Sequence, residues 1–118
     1  MLTTFASRFT LAVLAAAVLL PAAAQAKPIT PQIFVEKNCT QCHKVSAYGI
    51  EGGETGPDLS IAWTDVKDRF GVSLDAFMKK PTGTMQVVLG SMIKLTPEER
   101  DGIVKLLKEA HDKKAKKK

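Results

Sequence analysis

Two cysteines and a histidine lie close together in the first half of the chain: two residues separate Cys39 from Cys42, and His43 follows directly. Two intervening residues place both thiols on the same side of one helical turn. Thiols in that arrangement can form thioether bonds to two vinyl groups on one porphyrin edge, and a neutral imidazole beside them can ligate the iron. The pattern C-x-x-C-H therefore predicts covalent haem attachment through Cys39 and Cys42, with His43 as the proximal iron ligand.

Three other kinds of site use the same residue types. A thioredoxin-type dithiol opens a helix within a βαβ unit, and no strand is predicted before Cys39. A zinc site needs a fourth nitrogen or sulfur ligand, and the only other histidine, His111, falls at the charged end of a predicted helix. A structural disulfide between Cys39 and Cys42 is the third alternative, and it stays open.

The first residues have the composition of an export signal. An apolar stretch follows Arg8, and Ala24 and Ala26 have the spacing of a cleavage site. The stretch is shorter than the roughly 20 apolar residues that a membrane anchor needs. We therefore expect residues 1–26 to be a cleaved signal peptide, Lys27 to begin the mature chain, and the protein to reside in the periplasm.

The length of the expected mature chain limits its core. The expected mature chain, residues 27–118, is a single domain of 92 residues. A domain of that length buries only about 60–65% of the surface of its unfolded chain. Small domains of this kind commonly recruit a disulfide, a metal or a cofactor to compensate. A bound prosthetic group is therefore consistent with the size of the chain.

The positive charge is concentrated at the C-terminus. The whole chain carries a net charge of +5, and five of its last six residues are lysines. A nucleic-acid-binding domain would instead spread its lysines and arginines over a binding face, with aromatic residues between them. Nucleic acid is therefore not an expected partner.

The apolar periodicity predicts helices and no convincing strand. The last helix has the clearest start, because Thr96 and Glu99 have the spacing of a capping box and an apolar stripe at helical spacing follows them. The other predicted elements, in chain order, are a helix from Thr30 into Cys39, a glycine-rich loop over 44–58, an ambiguous segment with a partial helical stripe over 59–70, a short helix over 73–80, and a second loop over 81–95.

The export signal, the C-x-x-C-H motif and the small helical chain together resemble the class I cytochrome c family. The resemblance covers nearly all of residues 30–111. It implies an all-α fold, a small helical chain wrapped around one covalently bound haem c. The run from Gly56 to Leu59, beginning thirteen residues after His43, matches the family's G-P-x-L loop. By this resemblance the Pro57 carbonyl accepts a hydrogen bond from His43, which would fix the tautomer of the ring and raise its basicity.

The resemblance also implies a methionine as the sixth iron ligand, and such His/Met ligation raises the reduction potential. Met92 precedes Leu95, at the start of the last helix's capping motif, by three residues, which fits the family pattern. Met92 is therefore the predicted distal ligand. Met85 lies ten residues before Leu95 and is the second candidate. Met78 lies inside a predicted helix and is expected to pack in the core.

Filled axial positions leave no place for a substrate, so the resemblance implies a periplasmic one-electron carrier and not an enzyme. The alternatives are an electron-transfer subunit of a periplasmic oxidoreductase complex and a haem sensor or peroxidase-like protein with an open distal site. We expect a monomer whose partners are redox proteins. Residues 27–112 form the predicted cytochrome c domain. The lysine-rich tail over 113–118, expected to be disordered, would serve solubility or transient contact with an acidic partner or a membrane surface.

Overall fold

A computed structural model describes residues 12–13, 15–16 and 27–117 of the chain. Within these residues the chain is mostly helical, and its only β-type pairing is an isolated bridge between Val45 and Ile50. The predicted all-α class is confirmed at this level. The rest of the predicted signal peptide, including its cleavage motif, lies outside the described residues. None of the described helices combines the length and the apolar character that a membrane-spanning helix needs.

The described chain consists of α-helices joined by tight 3-10 turns. The helices are α1 (Ile33–Glu36), α2 (Ala62–Phe70), α3 (Leu74–Lys79), α4 (Thr84–Val87) and α5 (Pro97–Lys116). The 3-10 turns cover Cys39–Gln41, Ser46–Tyr48 and Leu59–Ile61, and a single π-helical turn, Val88–Met92, directly follows α4.

The ends of three helices follow from local sequence signals. At the start of α5, Thr96 Oγ1 accepts a hydrogen bond from Glu99 N at 3.1 Å, and Glu99 Oε1 accepts one from Thr96 N at 2.9 Å, which confirms the predicted capping box. The Ser73 hydroxyl accepts a hydrogen bond from Ala76 N and caps α3. Gly71 ends α2 in the left-handed conformation, with φ +72°, which a residue without Cβ adopts at little cost.

The hydrophobic core lies along one face of α5. Gly102 on this helix lets Ile29 pack against its backbone, because a Cβ at Gly102 would lie 2.6 Å from the Ile29 side chain. A salt bridge of 2.9 Å between Lys37 and Glu99 joins the chain just after α1 to the first turn of α5. The buried hydrophobic residues are Ile33, Phe34, Val45, Ala62, Val66, Leu74, Phe77, Ile103, Leu106, Leu107 and Ala110.

The first helix is shorter than the sequence predicted. It ends at Glu36 and does not run into Cys39. Asn38 interrupts it with φ +61°, a left-handed conformation that asparagine tolerates better than most residues. This residue turns the chain, so that Cys39 begins a separate 3-10 turn.

The predicted loop over 81–95 is also wrong in part. Its middle is helical, because α4 and the π-helical turn together occupy Thr84 to Met92. The Ile93 N–H donates to the Val88 carbonyl at 2.8 Å, five residues back, which closes the π-helical turn.

The expected disorder of the lysine tail is wrong for the residues that the structure describes. Helix α5 continues through Lys116. The Lys113 ammonium lies 4.9 Å from the centre of the Tyr48 ring, and the Lys114 ammonium lies 3.5 Å from Asp58. These contacts hold the end of α5 against the loop that follows the C-x-x-C-H motif.

Candidate functional site

The C-x-x-C-H motif is wound into a tight turn. The Cys39 carbonyl accepts hydrogen bonds from Cys42 N at 3.3 Å and from His43 N at 3.0 Å. Both cysteines are free thiols, and the alternative of a disulfide between them is not formed. Cys39 is half-buried, and this burial raises the pKa of its thiol, whereas Cys42 is exposed.

The His43 ring makes one hydrogen bond that determines its chemistry. Its Nδ1 lies 2.7 Å from the Pro57 carbonyl oxygen. A carbonyl can only accept, so Nδ1 carries the proton and donates. In the neutral ring the lone pair is then on Nε2, and this tautomer is the one that can ligate a metal through Nε2. The contact is the one that the family resemblance implied between these two residues.

Glycine packs directly against this ring. A Cβ at Gly56 would lie 2.5 Å from His43 Nδ1 and 2.8 Å from Nε2, which is closer than atoms can approach. Gly53 is similarly crowded, because a Cβ there would lie 3.0 Å from the Gln41 carbonyl carbon. The loop can therefore lie flat against the motif only because these positions have no side chain.

We call residues 39–60 the proximal segment, because they contain His43, the predicted proximal ligand. Backbone hydrogen bonds join the first part of this segment to the second. Each bond joins the part that contains the C-x-x-C-H motif to the glycine-rich part that follows it. They run from Gly53 N to Thr40 O at 2.9 Å, from Gly56 N to Cys42 O at 2.7 Å, and from Leu59 N to Lys44 O at 2.9 Å. The orientation of His43 is thus determined by the backbone as well as by its own side-chain contact.

A carboxylate stands next to the residue that accepts from His43. Asp58 Oδ1 accepts from Ser46 N at 3.1 Å and from Ser60 N at 3.0 Å, and its Oδ2 accepts from the Ser46 hydroxyl. Burial alone would raise the pKa of Asp58, but the hydrogen bonds from Ser46 and Ser60 outweigh it and hold the pKa at about 2. Lys114 adds its positive charge at 3.5 Å. Asp58 is therefore a carboxylate at neutral pH.

Sequence reasoning missed this cluster. It treated the residue after Pro57 as a variable position of the loop and Lys114 as part of a free tail. A signal was present, because aspartate before a short helical turn commonly caps it, as Asp58 caps the turn Leu59–Ile61. The contacts from Ser46 and Lys114 come from distant parts of the chain and have no local signal.

The three candidate methionines lie in different surroundings. Met92 ends the π-helical turn and is 70% exposed. Met85 and Met78 are both partly buried against the hydrophobic core. The structure thus brings Cys39, Cys42, His43 and Pro57 together and leaves the Met92 side chain exposed at the surface.

The alternative metal and redox sites gain no support from the described residues. Within residues 27–117 no three His, Cys, Asp or Glu side chains cluster as a zinc site would require. His111 lies on α5, with Nδ1 3.4 Å from the Asp112 carboxylate. The same part of the chain contains no βαβ unit around the cysteines.

The residues of the proximal segment fit a covalently bound haem. Two free thiols flank one turn, the Nδ1 proton of the histidine is held by the Pro57 carbonyl, and a glycine packs flat against the ring. Comparisons with models of known protein families, with curated proteins and with solved structures gave no match. The case for haem therefore depends on the motif and on this geometry.

Proposed function

We propose that this protein is a mono-haem c-type cytochrome of the class I type, a periplasmic one-electron carrier with His/Met-ligated iron. The observation that carries the proposal is the hydrogen bond from His43 Nδ1 to the Pro57 carbonyl within a C-x-x-C-H motif. It holds the imidazole in the tautomer that an axial ligand requires. A redox dithiol or a disulfide formed by Cys39 and Cys42 would not require His43 to be oriented by this bond.

Each residue of the site has a separate task in this proposal. Cys39 and Cys42 would form the thioether bonds, and His43 would ligate the iron through Nε2. Met92 would supply a soft, neutral sulfur as the second protein ligand. Bound haem would supply the redox centre, since its iron exchanges one electron between the ferric and ferrous states.

The proposed ligand set is the reason that we propose a carrier and not an enzyme. If His43 and Met92 both ligate the iron, no position would remain on it for a substrate. The chain would then act by exposing an edge of the group to other redox proteins. Cys42 is exposed and Cys39 is half-buried, which favours the edge near Cys42 for electron exchange.

The partners and the location follow from charge and from the export signal. We propose weak, small and electrostatically steered docking with redox proteins of the periplasm. Lys113 and Lys114 contact Tyr48 and Asp58, so their charges lie beside the proximal segment. Lys116, the last residue of α5, lies about one helical turn after Lys113 and is exposed.

An optical experiment on the purified protein tests the proposal. The haem should remain attached after denaturation, and the oxidised protein should show the weak charge-transfer band of ferric iron bound to methionine sulfur. Met92→Ala should abolish this band and open the iron to carbon monoxide. Met85→Ala is the matched control, and it should keep the band.

Three results would overturn the proposal or change part of it. Carbon monoxide binding by the unaltered protein, with no methionine band, would favour the alternative of a sensor or peroxidase-like protein. Loss of the band in Met85→Ala and not in Met92→Ala would still support an electron carrier, but with Met85 as the distal ligand in place of Met92. Isolation of the protein in a stable complex from native periplasm would favour the oxidoreductase-subunit alternative.

A further inference from the structure

We propose that Asp58 is a positioning residue for the axial histidine, which it controls through the Pro57 carbonyl. This inference rests on the proposed function, because it concerns the side chain that would ligate the iron. Asp58 does not itself touch His43 in any contact that the structure records. It acts one residue away, on the group that accepts the histidine proton.

The first step is the geometry of a single peptide bond. The Pro57 carbonyl and the Asp58 nitrogen and Cα belong to one planar unit. Its oxygen cannot turn relative to Asp58 Cα unless the whole plane turns. Whatever fixes Asp58 therefore fixes the direction in which the Pro57 oxygen meets His43 Nδ1, at 2.7 Å.

The second step is that Asp58 is fixed from several directions. Ser46 donates from the turn Ser46–Tyr48, through both its backbone N–H and its hydroxyl. Ser60 donates its N–H at 3.0 Å from the turn that follows. Lys114 approaches to 3.5 Å from the end of α5. The Asp58 side chain is only 14% exposed, so few water molecules can replace these donors.

The donors are themselves held in place. Ser60 is completely buried, and its hydroxyl accepts a hydrogen bond from Ala47 N at 2.9 Å. The Tyr48 hydroxyl donates to the Leu106 carbonyl of α5 at 2.6 Å. Asp58 thus stands at the junction of two turns and the longest helix, and the Pro57 carbonyl takes its direction from that junction.

The third step concerns the consequence for the ligand. A well-aligned acceptor at Nδ1–H raises the basicity of the imidazole, and a more basic ligand stabilises ferric iron relative to ferrous iron. Loss of the alignment should raise the reduction potential and leave the Nδ1 proton less protected from exchange with water. If Asp58 only capped the turn Leu59–Ile61, its loss would lower the stability of the fold without changing the exchange rate of the Nδ1 proton.

Two substitutions in the holoprotein separate position from charge. Asp58→Asn removes the charge but keeps an oxygen that can accept from Ser46 N and Ser60 N. Asp58→Ala removes both. Asp65→Asn, in α2, is the control for loss of a carboxylate elsewhere, since Asp65 pairs with Arg69 on the helix surface.

The measurement is hydrogen exchange of the His43 Nδ1 proton, followed by NMR in the diamagnetic ferrous protein, together with the midpoint potential. In Asp58→Ala the exchange should be about tenfold faster, the factor that corresponds to one ordinary hydrogen bond, and the potential should be more positive. In Asp58→Asn the exchange should stay within about twofold of the original rate. Asp65→Asn should change neither quantity.

Several outcomes overturn the inference. Exchange in Asp58→Ala equal to that of the unaltered protein would refute it, and so would equal acceleration in Asp58→Ala and Asp58→Asn, because charge alone would then explain the effect. If Asp58→Ala yields no folded holoprotein, Ser46→Ala removes one donor and should still accelerate exchange by about two- to fivefold; an unchanged rate there would also refute it. Failure of the unaltered protein to hold covalent haem would instead refute the proposed function.

Discussion

The proximal segment and the part of the chain that carries Met92 differ in how much of their geometry the polypeptide fixes by itself. We call residues 81–95 the distal segment. In the proximal segment, a Cβ at Gly56 would collide with the His43 ring, whereas Gly90 of the distal segment has no atom within 4 Å of such a Cβ. His43 is held by a side-chain hydrogen bond, while Met92 is 70% exposed.

This difference indicates that the two proposed ligands are positioned in different ways. The proximal segment presents its ligand in one tautomer and one orientation before any group is bound. The distal segment offers a flexible thioether from an irregular helical turn. A long, unbranched side chain such as that of methionine adapts to its surroundings more readily than an imidazole. Substitutions in the two segments should therefore have unequal effects.

The largest expected effect is on covalent attachment. Replacing Cys39 and Cys42 together by alanine should abolish haem that survives denaturing gel electrophoresis, because no thioether bond can form. Met92→Ala should retain fully attached haem, since its sulfur makes no covalent bond to the porphyrin. Haem staining and intact mass measure both. Retained covalent haem in the double alanine variant would remove the basis of the proposed function.

The next effect compares two glycines. Gly56→Ala should lower the free energy of unfolding of the holoprotein by about 3 kcal/mol, because the added methyl group forces the loop away from His43. Gly90→Ala, the matched control, should change it by no more than about 1 kcal/mol. Denaturant titration gives both values. Equal losses in the two variants would show that the distal segment is as tightly packed as the proximal one.

A smaller effect should depend on pH. The pKa of Asp58 is held at about 2, below its ordinary value of 3.8, so the ionised carboxylate stabilises the folded state. That contribution is complete above about pH 4 and is lost as the pH falls towards 2; after allowance for solvent screening it amounts to about 1 kcal/mol. The stability difference between the unaltered protein and Asp58→Asn should therefore shrink over this range. A difference that is constant between pH 5 and about 2.5 would argue against a low pKa at this position.

The smallest effect concerns the attachment of the proximal segment to α5. Tyr48→Phe removes the hydrogen bond of 2.6 Å to the Leu106 carbonyl and should cost about 0.5 kcal/mol. Thr64→Ala is the control, because the exposed Thr64 hydroxyl donates only to the Ile61 carbonyl, three residues back, at 3.3 Å. Thermal unfolding followed by circular dichroism compares the two. An unchanged melting temperature in Tyr48→Phe would mean that this bond does not hold the segment.

The sequence predicted those features that depend on neighbouring residues. The start of α5 follows from Thr96 and Glu99, the start of α3 from Ser73, and the grouping of the thiols with His43 from their spacing. In each case the stabilising contact lies within one turn of the residues that encode it. Such signals survive without knowledge of the rest of the fold.

The features that escaped prediction depend on distant contacts or on a single backbone angle. The left-handed conformation of Asn38 ends α1 early, although the residues around it favour a continued helix. Lys113 and Lys114 are helical where a run of lysines alone would favour disorder, and both contact the proximal segment. Tertiary packing overrides local preference in these places.

The course of α5 beyond residue 112 has a practical consequence for anyone who prepares this protein. A C-terminal deletion that removes residues 113–118 as a dispensable tail would delete the two ammonium groups that contact Tyr48 and Asp58. If the proposed haem is bound, spectra and potentials recorded on such shortened material would include the effect of the missing contacts, so the chain is best prepared with residues 113–118 in place.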